Sequence, residues 1–553
     1  MTAMPAGRTR ARTRYAEEGH LTGELLDRQL EQAAAACGSR TAIVDGAHRL
    51  TYHEMFQRVE SLAHALRGRG IGPGDVVSFQ LPNWWEASVV HFATIRIGAI
   101  SNPLVPILRH RELRFMLQQA GSKIVFVPST FRGFDHAALA SRLCDEVATL
   151  EAMVTVRGAR DQALTFDGLL GEGTRLAESN GGGEPAPVRS ADDPVLLLYT
   201  SGTESRPKGV VHSHNGLVYE NRTMIERYSL SERDAVFMPS PVTHISGLLY
   251  GIHLPVALRT KVALLDQWRP EQGRDLIRTE NCTFTVGATP FLSGLVDVGP
   301  ENGAGTSLRY FVCGGADVPP QLIRLADEKL KCVAVRAYGS TEFPTLSAGG
   351  PGDSVERRAT TDGQILGAAE ARVLTGDDTV APPGVVGDLY VRGPEAFLGY
   401  LDASDTDATI GPDDWISTGD QAVIDAGGYV RITGRTKDII LRGGENISAK
   451  EVEEILGEHP AIREVAVVAM PDKVLTEKAC AFVVPRPGAT LDLGELVRHL
   501  ESTNTARQKF PERLELVESL PKTASGKVQK VVLRQIVKER LAAEQRAALS
   551  TDS

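Results

Sequence analysis

Phosphate-handling chemistry is concentrated in two segments that lie far apart. In Tyr199-Thr-Ser-Gly-Thr-Glu-Ser-Arg-Pro-Lys208-Gly209, the hydroxyls of Thr200, Ser201 and Thr203, the backbone exposed at Gly202 and the ammonium of Lys208 fall within one short loop. A polyphosphate accepts hydrogen bonds from hydroxyls and free N–H groups, and a lysine balances its charge. The order differs from a Walker A loop, in which G-x-x-x-x-G-K-[ST] opens a helix, and the same composition also fits a polar turn after a strand. The second segment, Pro521-Lys-Thr-Ala-Ser-Gly-Lys527, ends on a lysine between Gly526 and Val528. On such a loop a lysine is ordinarily just solvated, whereas a functional one would stabilise charge growing on an α-phosphate and on departing pyrophosphate. Together the two segments predict a site assembled from distant parts of one chain.

Three further constellations suit the same chemistry. Ala337-Tyr338-Gly339-Ser340-Thr341-Glu342 follows the β-prone Cys332-Val-Ala-Val335. A Thr–Glu pair at a strand end can hold a phosphate oxygen through its hydroxyl and Mg2+ through its carboxylate, and Tyr338 offers a ring to a base. Alone, the hexapeptide is equally a turn with a solvated glutamate. In Trp415-Ile-Ser-Thr-Gly419-Asp420 the aspartate is suited to accept both ribose hydroxyls, with Arg435 as a cation for the same ribose or the α-phosphate if the two turns face each other. Lys437-Asp-Ile-Ile-Leu-Arg442-Gly443-Gly444-Glu445-Asn446 carries adjacent glycines, which let backbone approach a ligand closely or make a plain hairpin loop.

The elements that must position these groups show in local syntax. Thr51-Tyr-His-Glu54 is a capping box that opens a helix with Met55, Val59, Leu62 and Leu66 on one face, before Gly68 and Gly70 end it. Gly72-Pro-Gly-Asp75 then turns into Val76-Val-Ser-Phe-Gln-Leu81, a short strand, and Val195-Leu-Leu-Leu-Tyr199 is another, preceded by a Gly/Ser/Pro-rich surface connection from Glu172 to Asp193. Helix followed by buried strand recurs through the first four hundred or so residues. Composition changes after Gly434-Arg435-Thr-Lys437; beyond it Ser448-Ala-Lys-Glu451 caps a helix with Val452, Ile455 and Leu456, and Val465-Ala-Val-Val-Ala469 reads as a strand. The predicted fold class is α/β: a large N-terminal domain of mixed β-sheets layered with helices, plus a small mobile α+β C-terminal domain. The expected boundaries are a flexible, frayed arm over 1–20, the large domain over 21–435 and the small one over 436–553.

At 553 residues the chain can bury more than one core. Its net charge of −10 argues against a general nucleic-acid binder. Six cysteines, at 37, 144, 282, 313, 332 and 480, are scattered without zinc spacing, which suits a reducing cytoplasm. No apolar run reaches the ~20 residues of a membrane span. Arg8, Arg10, Arg12 and Arg14 lack a following apolar stretch and do not form a secretory signal. A homodimer is the default assembly for want of other information.

The ordered set resembles the AMP-forming adenylating enzymes: acyl-CoA synthetases, adenylation domains of peptide synthetases, and luciferases. The resemblance runs from about residue 45 to about residue 540. Gly434-Arg435-Thr-Lys437-Asp-Ile-Ile-Leu-Arg-Gly-Gly-Glu-Asn-Ile-Ser448 and Pro521–Lys527 look like the CoA-ligase branch, while Cys313-Gly-Gly-Ala-Asp317 and Gly287-Ala-Thr-Pro290 are most similar to bacterial medium-chain fatty-acid and cyclohexanecarboxylate CoA ligases.

That resemblance implies ATP, Mg2+ and CoA as reaction partners, with a small to medium acid giving an acyl-adenylate and then a thioester. Thr200, Ser201, Gly202, Thr203 and Lys208 would hold the phosphates. Thr341 and Glu342 would serve the α-phosphate and the metal. Asp420 and Arg435 would bind ribose, and Gly314, Gly315 and Tyr338, with Ala316 and Gly339 beside them, would enclose adenine. His244, Gly287, Ala288, Pro290, Gly314, Gly339 and Phe343 would line the acid pocket. Lys527 would drive adenylation, and Lys437 would be the pivot that exchanges it for Gly443, Gly444 and Glu445 in the second step.

Some positions depart from the family pattern. Ser205 replaces a glycine, Phe343 follows the Thr–Glu pair, and Thr476 stands where this branch has glycine, which bears on the acceptor. Three alternatives remain at this point: an ATP-dependent diazotase that adenylates nitrite for attack by an arylamine, an acyl-AMP ligase that loads a carrier protein, and a non-enzymatic nucleotide-binding regulator. Retention of Lys527, Glu342 and Asp420 counts against the last.

Overall fold

A computed structural model describes residues 9–158, 164–179, 189–200, 206–300, 305–442, 445–472, 475–503, 505, 507–523 and 526–551. The helix foreseen from the capping box spans Tyr52–Gly68: the Thr51 side chain accepts from Glu54 N, and the Glu54 carboxylate accepts from Thr51 N at 2.8 Å. Val59, Leu62 and Leu66 are buried on its inner face. The strand after it, Val76–Phe79, is buried throughout and pairs in parallel with Ile100–Pro103 and Ser122–Pro128. These belong to an eight-stranded sheet that continues to the antiparallel pair Pro194–Thr200 and Lys208–Ser213.

A nine-stranded sheet supplies the second layer among the described residues. Its strands Phe284–Gly287, Tyr310–Cys313 and Val333–Tyr338 are parallel neighbours, with Gly287 opposite Cys313 and Cys313 opposite Arg336. Their carboxyl ends therefore lie on one edge, the edge at which open α/β sheets bind ligands. A four-stranded antiparallel sheet, Glu370–Leu374, Gly387–Arg392, Ile416–Ile424 and Val430–Arg435, completes the large domain.

After Arg435 the packing is new. Ile440, Val452, Val467, Ala481 and Leu496 form one buried cluster, and Val468, Phe482, Leu533 and Val537 another, both drawn from the later residues alone. A separate core is what makes a part of the chain able to move as a body. All six cysteines are free, and no helix among the described residues is long and apolar enough to cross a membrane.

Two segments differ from expectation. Residues 172–179, expected as a surface connection, continue the helix Phe166–Ser179. Leu169 is buried, and a Cβ at Gly173 would fall 1.7 Å from Ser61 O, so the glycine reads as a close-packing residue and not a chain breaker. The arm, expected to be frayed, forms a helix over Thr9–Glu17. It is held because Tyr15 is 3% exposed, Arg12 Nε bonds Asp192 at 3.0 Å, and Arg14 pairs with Glu370 at 2.8 Å.

Replacing Thr51 by Ala removes one half of the capping box. It is expected to lower stability by about 1 kcal/mol, read as a shifted urea midpoint with unchanged slope.

Candidate functional site

Three sheets contribute to one cleft. The strand Val333–Tyr338 delivers Tyr338, whose hydroxyl donates to Asp420 Oδ2 at 2.5 Å. Asp420 and Arg435 are cross-strand partners, and Arg435 Nε lies 3.0 Å from Asp420 Oδ1. The two turns do face each other, through direct strand pairing. Asp420 is 6% exposed. A carboxylate has about four acceptor sites, so lone pairs remain after both partners are served. Burial, then the neighbouring Asp420 charge, raises the Tyr338 pKa well above the usual tyrosine range, which keeps its hydroxyl a donor.

The phosphate-type loop is a connection between strands. Thr200 and Lys208 face each other across the antiparallel pair, Thr200 is half-buried, and residues 201–205, with Ser201, Gly202 and Thr203, lie outside the described residues. Lys208 Nζ pairs with Asp405 at 3.1 Å and sits 5.0 Å from the centre of the Tyr400 ring. The Tyr400 hydroxyl donates to Glu342 Oε1 at 2.7 Å. Thr341 is fixed through its own carbonyl, which accepts from Nε2 of the buried His212 at 2.7 Å.

Lys527 arrives from the small domain. Its loop is tied by Thr523 N to Lys527 O at 2.8 Å and by Gln529 N to Pro521 O at 2.8 Å, and Lys530 pairs with the half-buried Glu453 at 2.8 Å. Gly526, at φ 84°, passes so close to the large domain that a Cβ would lie 3.1 Å from Pro290 Cγ. Burial, and then the positive charge of Arg435, push the Lys527 pKa down to about 8 against the opposing pull of Asp420, Asp438 and Glu342. Half-buried His244 feels the same ammonium: burial first, then Lys527, lower its pKa to about 4, so it stays neutral at pH 7. Lys527, Arg435, Asp420, Glu342, His244 and Pro290 thus converge.

Gly287 ends one strand and Ala288 and Pro290 follow it, Gly314, Gly315 and Ala316 follow the next, and Gly339 the third. Phe343 does not join them. Expected as a pocket wall, it is 3% exposed and packs with Leu346, Val391 and Phe397, because the turn after Glu342 directs it into the core of the four-stranded sheet. Gly443 and Gly444 lie outside the described residues. Arg442 and Glu445 pair across a hairpin, and Lys437 falls in the short turn Thr436–Asp438.

The sequence model of AMP-binding enzymes matches residues 30–401, and that of the AMP-binding enzyme C-terminal domain matches residues 451–527. This chain belongs to the AMP-binding enzyme family. The enzyme is 35% identical to the medium-chain fatty-acid–CoA ligase of Escherichia coli (strain K12), over 96% of this chain and 93% of that one. It is 31% identical to a salicylyl-CoA synthase / salicylate adenylyltransferase of a Streptomyces species, over 96% of each. ATP-bound MatB from Rhodopseudomonas palustris superposes with a TM-score of 0.82 at 27% identity, covering 94% of this chain and 99% of that one. The protein is an AMP-forming ligase of the acyl-CoA synthetase type, and ATP-dependent adenylation of a carboxylic acid is its first reaction. The nitrite reading is not favoured, since the two relatives just named are named for carboxylic acids.

Several residues in the enzyme's cleft carried no signal in the sequence. Tyr400 lies 58 residues from Glu342, and His212 lies 129 from Thr341. Asp405 is a plain helical aspartate until the fold sets it beside Lys208. One departure did carry a signal: Thr476, where glycine was expected, adopts φ 69°, the left-handed region a β-branched residue avoids.

Tyr338→Phe deletes the hydroxyl that donates to Asp420. ATP affinity measured by calorimetry is expected to weaken about 10-fold; an unaltered Kd would mean that this bond does not orient the carboxylate.

Proposed function

We propose that this AMP-binding enzyme joins a medium-chain, mostly apolar carboxylic acid to CoA in two half-reactions. In the first, a carboxylate oxygen attacks the α-phosphorus of ATP, the α–β anhydride breaks, and acyl-adenylate and pyrophosphate form. In the second, the CoA thiol loses its proton and its sulfur attacks the acyl carbonyl, expelling AMP. The convergence of Lys527 with Asp420, Arg435 and Glu342 carries the first half. The 35% identity to a fatty-acid–CoA ligase supports the choice of acid and acceptor, as do the small residues Gly287 and Ala288 at the end of their strand. Six unpaired thiols suit a cytoplasmic enzyme.

Asp420 accepts the ribose hydroxyls, held at the right angle by Tyr338 and Arg435. Thr200, Ser201, Thr203 and Lys208 grip the phosphates, Lys208 exchanging Asp405 for them. Glu342 keeps one carboxylate oxygen on Tyr400 and has the second without a protein partner among the described residues, a donor that suits a hard cation. It would hold Mg2+, which when bound neutralises phosphate charge. Lys527 stabilises the negative charge that grows on the α-phosphate and the leaving group. Rotation about Lys437 then withdraws Lys527 and admits Gly443, Gly444 and Glu445.

Pyrophosphate release with hexanoate, octanoate, decanoate and benzoate, followed by CoA-dependent AMP release, tests the reading; no turnover with any straight-chain acid would refute the choice of substrate. Lys527→Ala is expected to slow the first half-reaction about 10²- to 10³-fold while leaving thioester formation from supplied acyl-AMP largely intact. A lysine is cationic below its pKa, so kcat/KM for ATP should be level at low pH and fall above about 8. In Lys527→Arg the fall should vanish from the accessible range.

A further inference from the structure

The small domain touches the large one at a second place. Lys450, in the first turn of the helix Ala449–Gly457, is 16% exposed and reaches out of its own domain. Its ammonium donates to Ile432 O at 2.9 Å and pairs with Asp317 Oδ1 at 3.2 Å. Ile432 N donates to Asp362 Oδ2 at 2.8 Å, and Asp362 pairs at 2.8 Å with Arg336, in the strand that carries Tyr338. Burial opposes the charge on Lys450, yet Asp317 and Asp362 outweigh it and its pKa lies above the ordinary lysine value. Asp317 closes the turn that begins at Gly314. Its carbonyl accepts from Thr289 Oγ1 at 2.6 Å, in the segment that holds Ala288 and Pro290. One contact from the small domain thus bears on both the nucleotide side and the acid side of the cleft.

The pair also spans the hinge. Lys450 lies beyond Lys437 and Asp317 before it, so rotation about Lys437 separates the two while Ile432, Asp362 and Arg336 stay together. An ion pair whose carboxylate is 45% exposed adds little to stability; its effect is to bias which of two domain orientations is populated. We propose that Lys450 is a positioning residue for the first half-reaction alone: paired with Asp317, it holds the Gly314–Asp317 turn against the nucleotide in the orientation that delivers Lys527. Rotation releases it before transfer to the acceptor. The inference rests on the two-step reading above.

The test measures the two half-reactions separately in Lys450→Met and Asp317→Asn: pyrophosphate release from ATP and octanoate, and thioester formation from supplied octanoyl-AMP and CoA. The first is expected to fall about 3-fold in Asp317→Asn and about 5-fold in Lys450→Met, which also loses the bond to Ile432 O. The second should stay within about 2-fold of wild type, and doubles as the check on folding. Lys450→Arg, which keeps the charge and the donor to Ile432 O, should behave as wild type. Equal losses in both half-reactions, or a normal first half-reaction, would overturn the proposal. Tryptic cleavage at the hinge with ATP alone needs no acid: Lys450→Met should be cut faster than wild type, and equal rates would also overturn it. A wild-type enzyme inactive with octanoate would count against the substrate reading only.

Discussion

The architecture depends on holding one ammonium charged in a seam between two bodies. Burial and Arg435 disfavour the charge on Lys527, while Asp420, Asp438 and Glu342 favour it, and the balance leaves its pKa near 8. A cation in that position is under-compensated. In the proposed reaction a triphosphate would supply the counter-charge it lacks, and loss of pyrophosphate would take most of that away. On the proposed two-step reading, the same electrostatics that assist the chemistry also favour docking of the small domain before the reaction and its departure afterwards, a bias to which the Lys450–Asp317 pair adds.

What makes the seam possible is the way three sheets end together. Parallel strands in register place Gly287, Cys313 and Arg336 side by side, so the loops that follow emerge on one edge. The antiparallel pairing of Asp420 with Arg435 sets a charged pair opposite that edge. Tyr338 joins the two by a single hydrogen bond. The small domain approaches with its own core, so Lys527 is carried by a rigid body and not by a loose tail.

Much of this was legible in the sequence, and the boundary has a physical form. Structure written in contiguous residues could be read: the strand that ends at Tyr199 and Thr200, the Thr51 cap and the separate packing after Arg435. Short-range hydrogen bonding and hydrophobic period determine such features. Contacts between remote residues could not be read. Nothing local marks Tyr400 as the partner of Glu342, Asp405 as that of Lys208, or Lys450 as that of Asp317. Side-chain direction was equally hidden: Phe343 follows a motif of the cleft, yet turns into the core. Glycine misled in Glu172–Ser179, where it reads as a break in one dimension and is a packing contact in three. The arm over Thr9–Glu17 is helical because of ion pairs to Asp192 and Glu370, which the polar composition of that segment does not reveal.

The most direct test of a delivered and withdrawn ammonium is the distance between the two bodies through the reaction cycle. Spin labels at the exposed Val385 of the large domain and Leu516 of the small one, in a background lacking native cysteines, report it by pulsed dipolar spectroscopy. With ATP bound, the distribution should centre on the separation in this structure. After adenylate formation and addition of CoA, a second, distinct distance should grow in. A single distance that persists from ATP binding to product release would contradict the account.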